Sequence, residues 1–108
     1  MTKYAVELTD TALAAIAEQA LYIADDAQAP VNARRWLQSV RETVVSLARF
    51  PRRCRVAEED SFVDYEVRQV VVCSHLLLFT INDDRCTVVI VGLRHGHRRP
   101  RPDGLTEV

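Results

Sequence analysis

The spacing of apolar positions changes period near residue 60, dividing the chain into a helical half and a strand half. Lys-Tyr-Ala-Val-Glu-Leu over residues 3–8 alternates loosely and predicts a short strand. Thr9 follows with a side-chain oxygen suited to capping a helix, and Asp10 puts a negative charge at the positive helix end. Leu8 and Leu13 hold the two positions of a hydrophobic staple around that cap. Leu13, Ile16, Ala17, Ala20, Ile23 and Ala24 then recur every three or four residues, which predicts an amphipathic helix to about Asp26. Residues 25–30 form a short connection, and the fixed φ of Pro30 suits the first turn of a second helix. Ala33, Trp36, Leu37, Val40, Val44 and Leu47 mark its inward stripe; Arg34, Arg35, Gln38, Arg41 and Glu42 lie off it. Pro51 stops that helix, because the residue before a proline is pushed out of helical geometry. Helices joined by so few residues run antiparallel, as a hairpin.

Residues 52–61 are polar and predict a surface loop. From there Val63, Tyr65 and Val67 alternate with Asp64, Glu66 and Arg68, the signature of a half-buried strand that residues 70–72 continue. Cys73-Ser74 suits a tight turn. The next strand, residues 75–81, carries Leu76-Leu77-Leu78-Phe79, a run that implies burial on both faces. Asn82-Asp83-Asp84-Arg85 is a hairpin turn signal, and the β-branched residues of 86–93 predict a third strand. The order is β-α-α-β-β-β: an α+β fold with an N-terminal strand, a helical hairpin and a three-stranded antiparallel meander covered on one face. Where the first strand joins the sheet stays open.

Composition narrows the class. A chain of 108 residues with 48% hydrophobic residues fills one core, and 3 Gly and 4 Pro exclude a linker-rich chain. Residues 1–99 are expected to form the single domain and residues 100–108 a C-terminal tail. No apolar run is long enough to span a membrane and Met1-Thr2-Lys3-Tyr4 is no signal peptide, so a cytoplasmic protein is expected. Cys54, Cys73 and Cys86, odd in number and without CxxC spacing, read as ordinary thiols; neither metal nor cofactor is expected. The net charge of −1 conceals segregation. All Lys and Arg positions except Lys3 are arginines, most of them clustered between Arg34 and Arg55 and between Arg94 and Arg101, while acids concentrate at Asp25-Asp26 and from Glu58 to Glu66. Such segregation suits an anionic partner for one face.

Four stretches in register on these elements carry a resemblance. Arg49-Phe50-Pro51-Arg52-Arg53 is similar to a helix stop of the form hydrophobic-x-x-F-P. Val67-Arg68-Gln69-Val70-Val71-Val72 is similar to "VRELVV", and residues 75–84 take the place of "YRILYRVDDD". Leu93-Arg94-His95-Gly96-His97-Arg98-Arg99 resembles a closing "VLHGRRD". Together they resemble the ParE/RelE superfamily of toxins, also known as plasmid-stabilisation proteins. The resemblance implies the toxin half of a type II toxin–antitoxin pair that inhibits growth, assembled with its cognate antitoxin into a hetero-oligomer. RelE-type members cleave mRNA on the ribosome, using an Arg in the "YRxxY" strand, lysines and a terminal Tyr. Here the Arg position is Leu76, the only Lys is Lys3, and no Tyr follows Tyr65. The resemblance is therefore closer to the ParE branch, whose members poison DNA gyrase without hydrolytic chemistry; a ribosome-dependent endoribonuclease is the alternative.

Arg94, His95, His97, Arg98 and Arg99 are the candidate target-binding residues, with His95 and His97 as the acid–base pair should the chain be catalytic. The competing reading is a solvated tail. Direct contact with nucleic acid stays open. Ile16, Ala20, Ile23, Arg34, Trp36, Leu37 and Arg41 are the candidate antitoxin-binding residues along the hairpin, although Trp36 also reads as core and the arginines as a wet helix face. The His-Arg tail is expected to lie beyond the helices, so that replacing Arg98 and Arg99 leaves antitoxin binding intact.

Overall fold

Thr9 caps the first helix and also pins it to a strand. Its Oγ accepts from the Ala12 N–H at 3.2 Å and donates to the Ile90 carbonyl at 2.9 Å, a cap of the kind that stabilises by about 1 kcal/mol. The computed structural model describes residues 3–101 and residue 105. It comprises β1 (Ala5–Leu8), α1 (Asp10–Leu21), a π-helical turn (Tyr22–Asp26), α2 (Pro30–Ser46), β2 (Arg68–Val72), β3 (His75–Asn82) and β4 (Thr87–His95). The α+β order is as expected, and the sheet order β1-β4-β3-β2 settles the open question: β1 lies at the edge, parallel to β4, while β2, β3 and β4 form the antiparallel meander.

Several boundaries differ from the sequence expectation. On α1 the inward positions are Ala12 and Ile16, whereas Leu13 is 50% exposed and Ala17 is also at the surface. On α2, Ala33, Trp36 and Val40 point inward, as does Leu47 just past its end, but Leu37 is 40% exposed. Each misplaced leucine sits beside the inward stripe rather than on it. α2 closes at Ser46, short of Pro51, and Phe50 takes left-handed geometry at φ 47° before the proline starts a 3-10 turn.

The strand expected from Val63 begins only at Arg68. Val67 instead bonds back to the preceding connector: its N–H donates to Asp60 Oδ1 at 2.9 Å, and its carbonyl accepts from the Ala57 N–H at 2.8 Å. The alternation of residues 63–67 reports burial into a second cluster, not a ladder. Nor is 52–61 merely a surface loop. It runs into a 3-10 turn at Glu58–Phe62 and buries Ala57 and Glu59.

Two clusters of side chains sandwich the sheet. Under the helices lie Ala12, Ile16, Trp36, Val40, Leu47, Val72, Leu77, Phe79, Val88 and Ile90. On the opposite face Ala57, Val67, Leu78, Val91 and Leu105 pack together, so one residue of the expected tail is buried. The run Leu76–Phe79 is thus buried on both faces, as its composition implies. Cys73-Ser74 makes the two-residue turn between β2 and β3, with Cys73 at φ 54°. Among the described residues no helix is long and apolar enough to cross a membrane.

Candidate functional site

Strand parity builds the site. His75 begins β3 on the side of Leu77 and Phe79, which face the helices. In β4, Leu78 pairs with Gly92 and Phe79 with Ile90, so Val91 is the extra residue of a β-bulge. The bulge shifts the alternation by one, and Leu93 joins Val88 and Ile90 on the helix side with His95 two residues further on. His75 and His95 are cross-strand partners. The end of β4 is held against the β2–β3 turn by the Gly96 N–H, which donates to the Ser74 carbonyl at 2.8 Å. A Cβ at residue 96 would stand 3.2 Å from that oxygen, which is why glycine fits there.

A row of rings results. Trp36 meets His75 edge to face with centroids 5.4 Å apart, His75 meets His95 at 4.9 Å, and His95 meets His97 at 5.2 Å. The His97 backbone N–H donates to His95 Nδ1 at 3.1 Å, which assigns the His95 proton to Nε2 in the neutral ring. Burial holds the His75 imidazole below its ordinary pKa, and the nearby His95 and Arg98 act in the same direction. Trp36 Nε1 and His75 Nδ1 are both buried without a hydrogen-bond partner. Such orphans typically cost about 1–3 kcal/mol each.

The rings of Trp36, His75 and His95 line a groove of about 620 Å³. Glu18, Gln19, Tyr22 and Ile23 form its helical wall, and Cys73, Ser74, His95 and Arg98 the opposite one. A smaller cavity of about 80 Å³ lies on the other face of the sheet, lined by Glu59, Leu78, Arg94, His95 and Arg98 together with Arg99 and Arg101. Arg94 is committed there. Its Nε donates to Glu59 Oε2 at 2.6 Å, Nη2 to Oε1 at 3.4 Å, and Nη1 to the Arg98 carbonyl at 2.9 Å. Glu59 is 1% exposed, so this is a buried, two-pronged ion pair.

The expected residues therefore separate. Of the candidate target-binding set, Arg94 is occupied by Glu59, His97 and Arg99 are exposed, and His95 and Arg98 reach both cavities. Of the candidate antitoxin-binding set, Ile16 is core, Ala20 is half-buried, Ile23 and Trp36 line the groove, and Arg34, Leu37 and Arg41 share an exposed strip of α2. The tail does not lie beyond the helices: His95 and Arg98 share a groove with Ile23 and Trp36 because the bulge turns the end of β4 toward α1. Sequence reasoning missed Glu59 and His75. The parity of His75 with Leu77 and Phe79 pointed inward, whereas nothing local marks Glu59 among its acidic neighbours. Among the described residues no three His, Cys, Asp or Glu side chains converge as metal ligands.

A family model, that of the ParE toxin of the type II toxin–antitoxin system parDE, matches residues 6–100. Among solved structures, the toxin–antitoxin complex RelBE2 from Mycobacterium tuberculosis contains a chain of similar fold. It is 24% identical, with 88% of this chain and 93% of that chain covered at a TM-score of 0.62. That likeness establishes the fold. No curated protein matches the sequence.

Proposed function

The chain belongs to the ParE toxin family of type II toxin–antitoxin systems, and from that premise we propose that it inhibits DNA gyrase without hydrolytic chemistry and is neutralised by a cognate antitoxin. The observation that carries this reading is the pairing of Leu76 with Arg94 across β3 and β4. Leu76 stands where RNA-cleaving relatives would carry a cation, and the guanidinium on the neighbouring strand is already held by Glu59. Cleaving RNA through its 2′-hydroxyl needs a base, an acid and a cation free to meet the phosphate. Lys3 lies at the far end of the sheet, bridged to Arg49. What remains at the β4 end is a basic surface of Arg98, Arg99 and Arg101, suited to gripping an acidic protein surface or DNA. A target that works on the chromosome places the chain in the cytoplasm. The antitoxin would cover the α2 strip of Arg34, Leu37 and Arg41 and the groove beside it, giving a toxin–antitoxin hetero-oligomer.

The test combines purified chain, gyrase and supercoiled DNA. Accumulation of cleaved gyrase–DNA complex supports the proposal; ribosome-dependent cuts in a translated mRNA, with gyrase untouched, overturn it. One observation favours that second reading: Glu59, Arg94, His95 and Arg98 line one small cavity, a carboxylate and an imidazole beside cations. In that case Glu59→Gln and His95→Ala would each abolish mRNA cleavage.

A further inference from the structure

We infer that the groove between α1 and the β2–β3 turn seats an acidic side chain of the antitoxin, whose carboxylate accepts from the Trp36 indole N–H and pairs with Arg98. The inference rests on the antitoxin pairing proposed above and names the anchor of that contact. An indole N–H can only donate, and Trp36 has no acceptor within the described chain. The Arg98 guanidinium on the facing wall makes no ion pair among the described residues, and His95 stands beside it. Donors thus converge on a space large enough for several side chains, and the missing partner is an acceptor.

Glu18 decides which acceptor. It lines the same groove, so a strand of nucleic acid, with a phosphate at every step, would meet a carboxylate. A peptide can put one carboxylate against Arg98 and Trp36 and keep Glu18 clear of it. Trp36 Nε1 is sealed in the free chain, so the occupant must part a wall to reach it. The wall on the α1 side is the π-helical turn, closed by the Ala27 N–H donating to the Tyr22 carbonyl at 3.0 Å. Turns of this kind interrupt the helical ladder and give way more readily than an unbroken helix. Seating the acid there would also cover Arg98, which the proposed target contact uses, so neutralisation would follow from occupying the groove.

Trp36 is the only tryptophan, so the labelled chain gives a single indole N–H resonance. Titration with the antitoxin encoded beside the toxin gene should move that resonance downfield and slow its exchange with solvent. Arg98→Ala, at an exposed position, should weaken association by about ten- to a hundred-fold, the worth of one charge-assisted bond. Trp36→Phe, which keeps a ring and loses the donor, should do the same. An antitoxin that binds tightly with the indole unmoved and Arg98→Ala without effect overturns the groove assignment and leaves the pairing standing. Failure to associate at all overturns both. If a short DNA duplex moves the resonance and the antitoxin does not, the occupant is nucleic acid and the inference is wrong.

Discussion

The helix-covered face of the sheet buries Val72, Leu77, Phe79, Val88 and Ile90 under two amphipathic helices, whereas the opposite face buries Val67, Leu78 and Val91 under an irregular connector. The first cover is regular and apolar throughout. The second is held by single points: a backbone pairing of residues 55–57 with 67–69, the return of Leu105, and the Arg94–Glu59 ion pair. A face sealed by many apolar contacts loses stability in proportion to what is removed. A face sealed by one buried ion pair depends on both partners being present, because the survivor of a broken pair is left charged and desolvated.

Truncating the centre of the apolar face should have the largest effect. Phe79 is fully buried, and Phe79→Ala should lower stability by about 3–5 kcal/mol in a denaturant titration. Glu59→Ala should cost almost as much, about 3 kcal/mol, because Arg94 would be stranded; its 11% exposed side chain keeps the loss at the low end for buried pairs. The comparison sharpens with the double variant Glu59→Leu, Arg94→Met. Removing both charges should recover most of that loss. A double variant as unstable as Glu59→Ala would mean that the connector is held by packing and not by the pair.

A smaller effect separates the faces by pH. His75 belongs to the helix-covered face, and burial, with His95 and Arg98, lowers its pKa below the ordinary imidazole value of about 6.5. Between the two values the unfolded chain binds the extra proton, so stability falls as pH drops through that ordinary value and levels off below the folded one. His75→Phe should flatten this part of the melting-temperature profile, whereas Glu59→Gln should leave it unchanged. A profile equally steep in both variants would place the titrating group elsewhere.

The same contrast explains what could be read in advance. The helical hairpin, the three-stranded meander and the two-sided burial of Leu76–Phe79 follow from periods of 3.6 and 2, which are properties of neighbouring residues. Leu13 and Leu37 were misplaced because each sits beside a stripe that other residues fill, and a stripe's edge depends on what packs against it. The polar composition of the connector predicts exposure because its cover is tertiary: nothing in Glu58-Glu59-Asp60 says that the middle acid meets an arginine 35 positions away. The site suffered most. His75 and Trp36 meet only because the β2–β3 turn, the β4 bulge and α2 come together, and no local pattern encodes that meeting.

The last prediction concerns function, with stability almost untouched. Arg99 and Arg101 line the connector-face cavity and are absent from the helix-face groove, while Arg98 reaches both. If the antitoxin uses the helix face and the target the connector face, the three arginines must divide accordingly. Arg99→Ala with Arg101→Ala replaces two exposed charges and should change stability by no more than about 0.5 kcal/mol. It should leave antitoxin affinity intact and raise the amount of chain needed for gyrase-mediated DNA cleavage about ten-fold, the effect of roughly 1.4 kcal/mol of lost contact. Arg98→Ala should weaken both activities, because its guanidinium stands at the rim the two faces share. Measuring antitoxin affinity and gyrase inhibition on the same two variants decides the division. Equal losses of antitoxin binding in both would show that one surface serves both partners and that the two faces differ in how they are sealed but not in what they bind.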